Sequence, residues 1–269
     1  MPSPLKLFYM AAWRNLLTLR RYKANFLFNI VTSVVVRLGM LVFALGIDTS
    51  VLGGTVGSTN YVAYVILGIS YQSWQGIALW RAAGMFQDEL GTGQIDYTFS
   101  CPFSRYWYIA CNIAATAVQE TIFFAPMLCV GFWFTRETLT ATGILLGLIA
   151  TTLSVAGLAQ LGAIFAALVL KYRQVTAVFG FFNAAFLFLT GMFVPLQLLP
   201  APLQMIGYGL PPTFGMDLLR HYVMETRTIM TVEYEWVALS AQLLLLALVA
   251  KLAVLYLERV AKEEGLHYI

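Results

Sequence analysis

The sequence of 269 residues predicts an all-α membrane protein with six transmembrane helices. Hydrophobic residues make up 60% of the chain and charged residues only 11%, whereas about a quarter of a soluble domain is charged. Six apolar runs reach the roughly 20 residues that a membrane-spanning helix needs. The polar stretches between them are too short to fold alone, so we expect one membrane domain over 1–269. The runs are 26–47, 60–80, 108–134, 143–170, 175–198 and 236–257.

The distribution of basic residues predicts the topology. An even number of spans places both termini on one side, and the basic cluster before the first run places that side in the cytoplasm. This topology gives 11 basic loop residues on the cytoplasmic side and three on the outer side, so we expect a multi-pass protein of the cytoplasmic membrane. The cytoplasmic ones are Lys6, Arg14, Arg20, Arg21, Lys23, Arg81, Arg105, Lys171, Arg173, Arg259 and Lys262; the outer ones are Arg136, Arg220 and Arg227.

An amphipathic helix is predicted over residues 5–22, before the first span. Its apolar and polar residues fall on opposite sides of a helical wheel, and Trp13 lies near the boundary. Such a helix lies in the membrane interface, where its arginines contact anionic lipid. It is either a plain anchor that steers topology or a mechanical element. The apolar side holds Leu5, Phe8, Tyr9, Ala12, Leu16 and Leu19, and the polar side holds Lys6, Arg14, Thr18 and Arg21.

The loop between the second and third spans is predicted to begin as a continuation of helix over 82–90. Gly91 and Gly93 then permit the left-handed conformation that ends a helix. Pro102 cannot continue a helix, so it separates this loop from the helix that begins near Arg105. The loop is either a solvated connector or a docking element for another protein.

Five of the nine prolines lie in residues 191–220, which we call the proline segment. Proline removes a backbone donor and clashes with the preceding turn, so the segment should form short helical pieces. It is either an ordinary outer loop with proline turns or, over 199–232, a set of re-entrant helices that closes the outer end of a transport pathway. The prolines are Pro195, Pro200, Pro202, Pro211 and Pro212.

Two charged residues lie at matching depth inside predicted spans. Arg37 is near the middle of the first span and Glu120 near the middle of the third. Because a charge facing lipid is costly, mutual pairing is the simplest arrangement. Alternatively, Arg37 snorkels or binds a carbonyl, while Glu120 faces water or is protonated.

The sequence disfavours an enzyme. Its two histidines, His221 and His267, belong to no metal motif, and neither a nucleophile turn nor a phosphate-binding glycine loop occurs. Cys101, Cys111 and Cys129 lack paired metal spacing, so we expect them to pack without disulfides. We therefore expect no catalytic, cofactor or metal site in this chain, and no nucleic-acid partner.

Two motifs resemble the permeases of ABC-2 type transporters. The first lies in the loop after the second span, and the second covers most of the proline segment. Together with the amphipathic start and the six runs, the resemblance covers nearly the whole chain. The first motif is formed by Glu89, Gly91, Thr92, Pro102, Ser104 and Arg105; the second is formed by Gly191, Phe193, Pro195, Leu199, Pro200, Leu203, Gln204, Pro211, Thr213, Asp217 and Arg220.

The resemblance implies that the loop, over 82–96, is a coupling helix that docks on a separate cytoplasmic ATPase, which binds ATP and magnesium. Asp88 and Glu89 would lie at that contact, and we expect charge reversal at Glu89 to uncouple transport in a folded protein. The residues implied in coupling are Asp88, Glu89, Gly91, Thr92 and Arg105, and those implied in the outer gate are Gly191, Pro195, Pro200, Pro211, Thr213, Asp217 and Arg220.

The resemblance further implies an ATP-driven exporter with two permease copies, identical or different, and two ATPases. Cargo that is lipophilic, drug-like, lipid or glycan would move between the copies by alternating access, with the first and fifth spans at the seam. Gly143 and Gly147 are spaced as in close helix contacts, either between copies or within one subunit. An ion-coupled secondary transporter is the alternative, because broken helices also build ion sites.

Overall fold

The computed structural model describes residues 3–45, 57, 60–134, 139–172 and 176–264, and every regular element within these ranges is helical. Ends of predicted spans at 46–47 and Val175, together with Arg136 and Arg173, lie outside the described residues. The elements are α1 Pro4–Arg21, α2 Lys23–Leu45, α3 Tyr61–Thr92, α4 Ile95–Ser100, α5 Arg105–Phe134, α6 Ala141–Tyr172, α7 Thr176–Leu189, a 3-10 turn Leu196–Leu198, α8 Ala201–Tyr208, α9 Pro211–Met224 and α10 Val232–Glu264.

A helix lies at each of the six predicted spans, in agreement with the predicted all-α class. Two stretches, Ala141–Val169 in α6 and Val232–Val260 in α10, are long and apolar enough to cross a membrane by length and composition. Gly180–Leu189 is a shorter apolar stretch. The total of six spans therefore stays a prediction.

Helices α3 and α6 form the centre of the bundle. α3 packs against α5 and α6, and α6 packs in addition against α9 and α10. Tyr71 and Phe86 of α3 and Leu158 of α6 are among the largest fully buried side chains. α2 packs mainly on α3 and leaves a row of apolar side chains exposed, such as Phe28 and Val42. This arrangement makes α3 the scaffold that joins residues 82–96, which we call the coupling loop after their predicted role, to the proline segment.

The fifth predicted span, 175–198, ends early in the structure. Helix α7 stops at Leu189, and Gly191 adopts φ +74°, the left-handed region that favours glycine. Pro195 then precedes the 3-10 turn. The apolar composition continued through this stretch, but the backbone at Gly191 and Pro195 does not continue the helix.

The other prolines of this segment lie at helix starts, and the segment is broken into short helical pieces as the sequence predicts. Pro200 is the residue before α8, Pro202 lies in its first turn, and Pro211 and Pro212 begin α9. The first turn of a helix tolerates proline because its N–H groups have no intrahelical acceptor. The proline segment is thus divided into short helices, while its re-entrant placement in a membrane stays a prediction.

Glycines on α6 bring it close to α9 in the same chain. A Cβ at Gly143 would lie 2.3 Å from the Tyr222 carbonyl oxygen, and one at Gly147 would lie 2.8 Å from Leu219 Cδ1. On the α9 side, a Cβ at Gly215 would lie 2.2 Å from Ser154 Cβ. Of the two alternatives for Gly143 and Gly147, the structure shows the contact within one subunit.

Helix α1 lies against α5 with one of its sides. Ala11 and Asn15 are buried there, and the Asn15 side chain donates to Thr116 Oγ1 over 3.2 Å. Tyr9 and Leu16, from the predicted apolar side, remain exposed. The helix therefore contacts the bundle through small and polar residues and leaves large apolar residues exposed, while its placement in a membrane interface stays a prediction.

Candidate functional site

A polar cavity of about 720 Å³ lies between α1, α2, α3 and α5, with one contributor from α7. Most of the residues that line it carry hydroxyl, amide or charged side chains, in a chain of otherwise apolar helices. Two arginines and two acidic residues give the charged part of the wall no net charge. The polar lining comprises Arg14, Asn15, Thr18, Thr32, Ser33, Arg37, Gln72, Ser73, Asp88, Thr116, Gln119, Glu120 and Asn183.

The structure brings Arg37 and Glu120 to this cavity. The Arg37 guanidinium donates to Ser73 Oγ over 2.5 Å, and the charge of Glu120 is close enough to act on it. Charged residues inside membrane segments face the bundle or a water-filled cavity, and this arrangement meets that condition. A role of the pair in transport stays a prediction.

The coupling loop adjoins the same region. A smaller cavity of about 150 Å³ is lined by Arg14 of α1 and by Asp88, Glu89 and Thr92 at the end of α3. Asp88 and Arg14 line both cavities. Side chains of the coupling motif are therefore neighbours of the polar cavity.

Glu89 points into the protein. Its side chain is 8% exposed, and Oε1 accepts a hydrogen bond of 2.6 Å from the Tyr108 hydroxyl. Asp88, Gly91 and Thr92 are exposed. The expectation that charge reversal at Glu89 leaves the fold intact is therefore revised, since an arginine there would be buried beside α5. Docking on an ATPase stays a prediction, with Asp88 as the exposed acid of the pair.

Arg105 is also buried, at 4% exposure. Its guanidinium donates to the carbonyl oxygens of Phe99, Cys101 and Phe103, and lies 5.0 Å from the ring centroids of both phenylalanines. These contacts fix the turn between α4 and α5. Arg105 therefore stabilises the conformation of this turn from a buried position.

Arg220 joins the proline segment to α3. It is 2% exposed and donates to the carbonyl oxygens of Gly191 at 2.7 Å, Met192 at 2.6 Å and Tyr64 at 3.1 Å. The guanidinium carbon lies 3.4 Å from the Tyr64 ring centroid, and the Tyr64 hydroxyl donates to Gly191 O. The turn after α7 is therefore closed by one cation and one aromatic side chain.

The other residues of the second motif fix the proline segment locally. Thr213 donates to Gly207 O over 2.6 Å, and Asp217 accepts from the Ile229 N–H over 2.7 Å. The structure places Gly191 and Arg220 in direct contact, whereas Pro195, Pro200 and Pro211 act as helix boundaries.

Sequence reasoning missed Tyr64 and Glu235. Tyr64 lies within an apolar run, so nothing in its context marks it. Glu235 is completely buried in the first turn of α10, where its carboxylate accepts from the Met230 N–H. An acidic residue next to the last apolar run was the available signal for it.

The coupling loop, the proline segment and the helical bundle between them agree with the match to known families. The model of the ABC-2 type transporter family matches residues 6–224, so the chain belongs to this family. It is a membrane permease of an ABC system, and this family works with a partner ATPase subunit. No curated protein matches the chain in sequence.

Proposed function

We propose that this chain is the permease subunit of an ATP-driven exporter, assembled from two permeases and two ATPases. The observation that carries the proposal is the polar cavity, which extends from the interfacial helix α1 to Arg37 inside the first predicted span. Polar and charged groups at membrane depth are costly, and where they face a cavity they mark pathways for a substrate or ion.

The wall of the cavity favours cargo with a polar part. Asn, Gln, Ser and Thr side chains predominate, and the two arginines are balanced by Asp88 and Glu120. Hydroxyl and amide groups recognise sugars and other uncharged polar groups through hydrogen bonds. Among lipophilic, drug-like, lipid and glycan substrates, we therefore favour a lipid with a polar head group or a glycan.

Helix α3 supports a mechanism for coupling. Its 32 residues span about 48 Å at 1.5 Å per residue. The helix runs from the coupling loop to Tyr64, whose carbonyl oxygen accepts from Arg220. It also contributes Gln72 and Ser73 to the cavity. Movement of the loop on an ATPase would therefore reach both the cavity and the proline segment through one rigid element, and we propose alternating access on this basis.

Reconstitution tests this proposal against the ion-coupled alternative. Proteoliposomes holding the permease, with and without its ATPase subunit, are loaded with ATP or with an ion gradient, and movement of fluorescent glycolipid and phospholipid probes is measured. We expect movement only with the ATPase and ATP. Movement driven by an ion gradient without the ATPase would establish the secondary transporter instead.

A further inference from the structure

Two carboxyl groups from different helices meet beside Arg220. Asp217 of α9 accepts from the Ile229 N–H over 2.7 Å, and Glu235 of α10 accepts from the Met230 N–H over 2.9 Å. Because the two donors belong to consecutive residues, the carboxyl groups are held side by side, within hydrogen-bonding reach of each other.

Glu235 is closed to water, whereas Asp217 is partly buried. Glu235 has 0% exposure, and its second oxygen, Oε2, has no hydrogen-bond donor among the residues that the structure describes. A buried carboxylate oxygen without a donor is costly, and two buried carboxylates in contact repel each other. A proton on one of them removes the repulsion and supplies the missing donor.

The charges around the pair also favour one bound proton. On α9, Arg220 is buried, and His221 Nδ1 donates to Thr226 O over 2.8 Å. On α3, Tyr61 and Tyr64 face Arg220. Helix α6 packs against both α9 and α10 and carries its ionisable residues, Lys171 and Tyr172, at its far end. A pair with one proton has a charge of −1, which the Arg220 cation balances.

We propose that Asp217 and Glu235 form a binding site for a single proton, which is occupied at neutral pH and then joins α9 to the start of α10. The proton bridges the two groups as a carboxylic acid that donates to a carboxylate, a strong type of hydrogen bond. When the proton is bound, the hydrogen bond between the two carboxyl groups holds the connection 225–231 in place. This connection links the proline segment to the last helix.

The direction of the pH effect follows from burial. Burial raises the pKa of Asp217 above its ordinary value. The folded protein therefore holds a proton that the unfolded chain has lost above about pH 4. Where the folded state binds more protons, stability falls as pH rises. The stabilising effect of the proton is complete in acid and is lost as pH rises through the folded-state pKa of the pair.

Infrared difference spectroscopy of the full chain in detergent tests the site directly. We expect the wild-type protein at neutral pH to show a carboxylic-acid C=O band that is absent from both Asp217→Asn and Glu235→Gln. Glu233→Gln, an exposed neighbour on the same turn of α10, should keep the band. A band unchanged in the two pair variants would overturn the proposal.

Thermal unfolding provides a second readout. In Glu235→Gln, the amide can accept from the Met230 N–H and donate to Asp217, as the protonated acid does. As pH rises above about 4, we expect the wild-type Tm to fall and that of Glu235→Gln to stay nearly constant, with Glu233→Gln behaving as wild type. Equal falls in all three proteins would contradict the site. Neither measurement involves transport, so failure here leaves the proposed function to its own test.

Discussion

At the scale of single residues, the buried arginines act on main-chain carbonyl groups. Arg220 donates to three of them and stacks on Tyr64. A guanidinium can reach several acceptors in a fixed plane while its face lies on a ring, whereas an ammonium acts as a point charge. The residue type at this position therefore determines how the turn after α7 closes.

We expect Arg220→Lys to lower the free energy of unfolding by about 2–5 kcal/mol, because hydrogen bonds to charged groups contribute about 1.5–3 kcal/mol each. Chemical unfolding in detergent measures the change. Arg227→Lys is the matched control, since Arg227 is exposed, and it should change stability by less than about 0.5 kcal/mol. Equal stability of the two variants would contradict the role of Arg220.

Substitutions at the Glu89 contact and at Asp88 test folding and docking separately. Tyr108→Phe removes the donor to the buried Glu89 carboxylate and should destabilise the protein by about 1–3 kcal/mol. Asp88→Asn changes an exposed acid that also lines the polar cavity, and without a charge reversal it should leave stability within about 0.5 kcal/mol. If the loop docks on an ATPase through Asp88, Asp88→Asn nevertheless reduces the ATPase activity of the reconstituted complex. Normal activity in that variant would remove Asp88 from the proposed contact.

At the scale of elements, the close contact between α6 and α9 depends on glycine. We expect Gly143→Ala to cost about 1–3 kcal/mol, as overpacking of a tight core does, because the new Cβ would meet backbone at Tyr222. Gly39→Ala on α2 is the control: nothing lies within 4 Å of its new methyl group, and alanine favours helix. Unfolding in detergent compares them, and a neutral Gly143→Ala would show that the helices can separate freely.

The sequence predicted the elements that depend on local chemistry. Prolines marked the starts of α8 and α9 because their effect on the backbone is independent of surroundings. The early end of α7 was missed, since apolar composition continues past Gly191 and does not reveal a left-handed turn. The inward direction of Glu89 was also missed, because burial of a charged residue depends on a distant donor, here Tyr108.

At the scale of the whole molecule, four helices meet around the polar cavity and line it with charged and hydrogen-bonding side chains. Its components were partly predictable: Arg37 and Glu120 could be placed at one depth from the span boundaries. The contributions of Asn15, Thr116 and Asn183 could not, because they depend on how α1 and α7 lie against the bundle. Sequence periodicity gives the faces of a helix but not its neighbours.

The charge pair predicts a rescue. Arg37→Ala and Glu120→Ala should each lower stability or ATP-dependent transport, because each leaves an opposite charge in the cavity without its partner. The exchanged pair, Arg37→Glu with Glu120→Arg, should recover part of the loss. Val118→Ala is a control on the same helix, with an exposed side chain. A double exchange no better than either single variant would contradict pairing.

The contacts that Arg105 and Arg220 make with main-chain carbonyl groups also affect which substitutions the surrounding turns can tolerate. Arg105 and Arg220 recognise backbone carbonyls at the two ends of the molecule, and every peptide unit offers a carbonyl whatever its side chain. The surrounding turns can therefore accumulate substitutions, provided that they keep the same path. Replacing the side chains of these turns should therefore leave the internal frame of this chain unchanged.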